Sequence, residues 1–119
     1  MAGSFIEVVA QDGGRFNAYV ARPAQGSGPG LVLLQEIFGV NESMKSTADR
    51  YAEEGYVVLV PDLFWRIKPG IDLGYGDADM QQALGYLGQF DTDLAVDDIA
   101  ATVAALRALP EQEIGRAHV

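Results

Sequence analysis

The chain has 119 residues, no cysteine, one histidine, and 8 basic against 17 acidic side chains for a net charge of −9. That length carries one domain, residues 1–119, around one core, and the lack of cysteine excludes a disulfide framework, a thiolate metal site and a thiol nucleophile within these residues. The acidic balance excludes nucleic acid as a partner, no run nears the ~20 apolar residues of a membrane helix, and a cytoplasmic α/β domain is expected.

In chain order, Ser4 to Ala10 alternates loosely, Gln11-Asp12-Gly13-Gly14 supplies a turn, and Arg15 to Ala21 alternates again. That pattern predicts a β-hairpin, because Asp-Gly-Gly readily takes the positive φ angles of a tight reversal. Arg22-Pro23 ends the second strand, and Ala24 to Gly30 reads as a loop. Leu31 to Leu34 and Val57 to Val60 are short continuous apolar runs, the signature of strands covered on both faces of a parallel sheet. Between them the spacing predicts a helix capped by Asn41, with Met44, Ala48, Tyr51 and Ala52 on its inner face and Gly55 after its end. Strand, helix and strand together make a βαβ unit.

A Gly- and Asp-rich loop runs from Pro69 to Asp79. Met80, Ala83, Leu84 and Leu87 then predict a short helix, weakened by Gly85 and Gly88. Asp91 or Thr92 caps a second helix with Val96, Ile99, Val103 and Leu106 on its buried face, stopped at Pro110. Such a helix should deliver the chain to another buried strand. Residues 111–119 contain no apolar run, so the sequence predicts a solvated tail there and no further strand. His118 in such a tail is not expected to serve as a catalytic base, which must be held within about 3 Å of its partner.

Residues 71–119 hold 9 acids and 2 bases, against 8 and 6 in residues 1–70. The excess reads as a solvated helix face and N-terminal capping rather than a metal site, since no calcium-loop spacing occurs. No cofactor and no metal are expected.

Ligands of open α/β sheets bind beyond the carboxyl ends of the parallel strands. Two acids sit there: Glu36 after the first apolar run and Asp62 after the second. Glu36 enters bulky apolar residues at once. It is either a desolvated carboxylate in need of a partner or a strand-end side chain turned to solvent or bonding loop amides. Pro61-Asp62 is expected to build a turn.

The stretch Gln35-Glu36-Ile37-Phe38-Gly39-Val40-Asn41, with Gly55-Tyr56 and Pro61-Asp62-Leu63, resembles the dienelactone hydrolase family of α/β-hydrolases. The similarity runs from the first hairpin to about Pro110 and covers the N-terminal half of that family's domain. It implies cyclic-ester hydrolysis by a Cys–His–Asp triad without a metal. It also implies that Glu36 matches the glutamate contacting the nucleophile and that the Ile37 N–H helps form the oxyanion hole. The chain departs from the family in lacking a Gly-x-Cys-x-Gly elbow after Pro110, and the family's triad Asp and His would fall beyond Val119. Alignment through Phe90-Asp91 puts Met80 where the family carries an arginine for a substrate carboxylate.

The expected architecture is therefore a three-layer α/β/α fold, an N-terminal hairpin leading into a short parallel sheet, as a truncated α/β-hydrolase. The expected behaviour is a hydrolase-like domain inactive alone, binding a small molecule near Glu36, Ile37, Phe38, Trp65 and Arg66, and forming a homodimer that covers the open sheet edge. The alternative is an ester or lactone hydrolase assembled between chains or encoded by a longer gene.

Overall fold

The computed structural model describes residues 3–118, with side chains described to Gln112. The hairpin forms as expected: β1 (Ser4–Val9) pairs antiparallel with β2 (Arg15–Ala21). Next come β3 (Gly28–Val32), α1 (Glu42–Glu53) and β4 (Val57–Pro61). They are followed by α2 (Asp77–Gln89), α3 (Thr92–Ala108) and β5 (Gln112–His118). The sheet order is β1-β2-β4-β3-β5, with β4 antiparallel to β2 and β3 parallel to both β4 and β5.

The strand predicted to be missing is present. β5 follows α3 and lies parallel to β3, so residues 112–118 are not a solvated tail. Among the described residues it lies at the edge of the sheet, where no apolar run is needed to announce it. A strand added at an edge needs only a backbone partner, and here that partner is the glycine-rich start of β3, with Gly28 opposite Gln112 and Gly30 opposite Ala117. Those glycines also move β3 earlier than the expected Leu31–Leu34. A Cβ on Gly28 would collide with the Gly55 carbonyl oxygen, and one on Gly30 would sit 2.7 Å from Leu106 Cδ2. Residues that read as a loop therefore form a strand because neighbouring backbone and helix approach too closely for side chains.

The two crossovers leave β3 and β4 in opposite directions across the sheet. Right-handed connections then place their helices on opposite faces. One core layer joins Val8, Phe16, Val20, Val32, Val57 and Leu59 to Leu106 of α3. The other joins Tyr19, Val58 and Val60 to Met44, Ala48 and Ala52 of α1. The strict alternation along β4 confirms the three layers. Asn41 caps α1, its side chain accepting from the Met44 N–H at 3.1 Å, and Asp91 caps α3 through the Leu94 N–H at 3.1 Å.

Two helix faces depart from expectation. On α3 the buried residues are Ala95, Asp98, Thr102 and Leu106, while Val96 is 58% exposed. The helix is turned by about one residue because two polar side chains are fully satisfied inside. On α2 only Ala83 is buried, and Met80, Leu84 and Leu87 remain 37%, 48% and 45% exposed. No described helix is long and apolar enough to cross a membrane.

Candidate functional site

Parallel strands β3 and β4 end side by side, and their connections depart to opposite faces, which opens a crevice between the two strand ends. Gln35 ties these ends together. Its Oε1 accepts from the Leu63 N–H at 2.8 Å, and its Nε2 donates to the Glu36 carbonyl at 3.0 Å. The chain then reverses tightly, with the Gly39 N–H donating to the Glu36 carbonyl at 3.3 Å. Gly39 has φ +82°, and a Cβ there would strike the Ile71 carbonyl, so only glycine lets loop 33–41 pack on loop 62–76. The Phe38 carbonyl accepts from the Leu73 N–H at 2.9 Å, and Asn41 Nδ2 donates to the Leu73 carbonyl at 2.9 Å.

This bracing presents Glu36 and Ile37 at the mouth of a hollow of about 200 Å³ lined by Gln35, Glu36, Ile37, Leu63, Phe64, Leu87 and Phe90. Among the described residues nothing accepts a hydrogen bond from the Ile37 N–H. Glu36 is exposed, and its nearest polar neighbour is the Tyr75 hydroxyl, at a long 3.5 Å from Oε1. Of the two readings open for Glu36, the structure shows the side chain turned to solvent. Phe64 is buried and meets Phe90 edge-on at 5.5 Å between ring centres, which makes an aromatic wall.

The other expected residues lie elsewhere. Phe38 is buried beside Tyr75, ring centres 4.6 Å apart, and does not line the hollow. Nor do Trp65 and Arg66, which were expected at a ligand but are engaged with α3. The Arg66 guanidinium forks onto Asp98, Nε to Oδ2 at 3.0 Å and Nη2 to Oδ1 at 2.9 Å, while Trp65 Nε1 donates to Oδ2 at 2.9 Å. A third arm, Nη1, reaches Asp12 Oδ2 at 2.7 Å. The Arg66 hydrogen bond is the main influence holding the Asp12 carboxyl below its ordinary pKa, and both carboxylates push the guanidinium pKa up. Trp65 also stacks on Phe16 at 5.4 Å. These two residues clamp loop 62–76 onto the α3 face of the sheet.

Asp62 builds the turn expected of it. Buried beneath the loop, it accepts from the Gly70 N–H at 2.8 Å through Oδ2, while Oδ1 has no partner among the described residues. Burial raises its pKa, and the hydrogen bond from the Gly70 N–H opposes that rise. Among the described residues no cluster of His, Asp and Glu is arranged to hold a metal.

Sequence reasoning missed Leu63, Phe64, Leu87 and Phe90 as lining residues. The available signal was position, since Leu63 and Phe64 directly follow Pro61-Asp62 at the carboxyl end of β4. Nothing local could place Leu87 and Phe90, which arrive from the end of α2.

Comparison with known proteins adds a family, two relatives and two solved structures. The sequence pattern of the dienelactone hydrolase family matches residues 16–119. The chain is 34% identical over 111 residues to carboxymethylenebutenolidase 1 of Cupriavidus pinatubonensis, which covers 92% of this chain and 47% of that protein. It is 41% identical over 106 residues to the carboxymethylenebutenolidase of Pseudomonas sp. strain P51, covering 88% of this chain and 44% of that one. Among solved structures, m3DLH superposes with a TM-score of 0.70 at 28% identity, covering 98% of this chain and 48% of that one. The dienelactone hydrolase-like promiscuous phosphotriesterase P91 from metagenomic libraries superposes with a TM-score of 0.68 at 25% identity and the same coverage. The chain thus spans about half the length of the relatives it matches.

Proposed function

Because the chain belongs to the dienelactone hydrolase family, we propose that it forms the oxyanion-binding and substrate-lining half of an ester or lactone hydrolase site. The observation that carries this reading is the Ile37 N–H at the rim of the hollow, which has no acceptor among the described residues. A backbone donor held rigidly where an acyl oxygen would lie stabilises the negative charge that develops there during attack. Glu36 stands one residue away, placed to contact a nucleophile brought against the same rim. The 119 residues contain neither cysteine nor a Gly-x-Ser-x-Gly elbow, so by themselves they bind an ester without turning it over, because nucleophile and base act as a unit. The cysteine-free composition fits a cytoplasmic location.

A second reading rests on β5. Among the described residues its outer edge has no strand partner, and an open edge is a template for association. A second copy pairing there would make a symmetric dimer, and a longer chain would cover the same edge with its own next strand. Light scattering after size-exclusion distinguishes the two, since the second copy doubles the mass of the 119-residue chain.

Hydrolysis of p-nitrophenyl acetate tests the main reading. The chain alone is expected to match the solvent rate. Joined to the residues that follow the matched segment in the Cupriavidus relative, it is expected to gain turnover, and Ile37→Pro in that joined protein should lower kcat by about 10²-fold by removing the donor. Turnover by the chain alone that is lost in Glu36→Gln, or a folded joined protein indifferent to Ile37→Pro, contradicts the proposal.

A further inference from the structure

We infer that the hollow beside Ile37 selects an uncharged, apolar acyl group of single-ring size and discriminates against a carboxylate. This inference rests on the reading of the site given above and names the substrate class it takes. Five of the seven lining residues are apolar: Ile37, Leu63, Phe64, Leu87 and Phe90. The amide of Gln35 is committed on both sides, to the Leu63 N–H and the Glu36 carbonyl. Among the described residues Glu36 is the single charged one lining the hollow, and no Lys or Arg lines it. Arg66, on the adjoining loop, is held by Asp98 and Asp12.

An anionic ligand would therefore lose hydration to an apolar wall and meet a carboxylate in place of a counter-charge. A neutral ring would find the edge-on Phe64–Phe90 pair. Size agrees: a dry cavity of about 150 Å³ takes benzene, so about 200 Å³ takes one ring with a small substituent. The apolar surface continues beyond Leu87. Met80 and Leu84 fall on the same face of α2 at helical spacing and are likewise exposed.

Amide chemical-shift titrations with methyl benzoate and with benzoate test the inference on the 119-residue chain. Methyl benzoate is expected to shift the amides of Ile37, Phe64, Leu87 and Phe90 together, with benzoate binding on the order of tenfold more weakly at low salt. Glu36→Gln should narrow that gap by improving benzoate alone. Leu87→Lys, at an exposed position that leaves the core intact, should reverse the preference. Equal or tighter binding of benzoate overturns the inference while leaving the oxyanion reading in place. Shifts at Phe64, Leu87 and Phe90 without any at Ile37 sustain the inference and sink the oxyanion reading. If the α2 amides move on dilution without a probe and neither probe moves them, a second copy covers the hollow and the inference fails.

Discussion

The two faces of the sheet are built by different physics. The α1 face is held by apolar packing of Met44, Ala48 and Ala52 against Val58 and Val60. The α3 face adds a buried carboxylate, Asp98, held by three donors from Trp65 and Arg66. Both helices are anchored, but a hydrophobic helix face can shift a little at low cost, whereas a fork of charge-assisted bonds fixes rotation and register together. The site depends on the second kind. The loop clamped by Arg66 carries Leu63 and Phe64 to the hollow.

The sharpest way to break this contrast is Asp98→Ala. It leaves the Arg66 fork and the Trp65 N–H without their common acceptor, and a loss of about 3–4 kcal/mol in unfolding free energy is expected by urea denaturation. Met44→Ala on the opposite face should cost about 2–3 kcal/mol, as ordinary loss of apolar packing. Equal costs with an unmoved Phe64 in both variants would erase the distinction between the faces. Asn41→Ala removes both the α1 cap and the bond to Leu73, for an expected loss of about 1–2 kcal/mol.

A pH series sharpens the same comparison at loop 62–76. Burial raises the folded-state pKa of Asp62 above its ordinary 3.8, so the unfolded chain gives up this proton first. The ionised form then weighs against folding as pH rises through the folded pKa. Asp62→Asn keeps an acceptor for Gly70, and its melting temperature relative to the parent protein should climb as pH rises above about 4. A flat difference would show Asp62 to be well solvated. The smallest effect is expected for Val96→Ser, within about 0.5 kcal/mol, because Val96 faces solvent on α3.

That last position shows what could and could not be read from the sequence. Apolar spacing located all three helices, both caps and the hairpin, because those signals are local. It placed the α1 face correctly apart from Tyr51, which is exposed. It failed on α3, where Val96 was expected inside and Asp98 lies there instead. A hydrophobic pattern cannot register a carboxylate whose partners sit 32 and 33 residues earlier. It failed on β5 for a related reason, since pairing with the glycines of β3 requires no apolar run. At the site, Glu36 and Ile37 were legible from the end of an apolar strand and from family resemblance. Phe64 and Phe90 form a wall only once α2 folds back over the crevice.

Titration of the chain with δ-valerolactone, followed at the Ile37 amide, tests the central claim most directly. A downfield shift of the Ile37 proton that saturates together with shifts at Phe64, Leu87 and Phe90 is predicted, as the lactone carbonyl accepts from that N–H. An Ile37 resonance that stays in place while the lactone binds elsewhere, or no binding near the ends of β3 and β4, would contradict it.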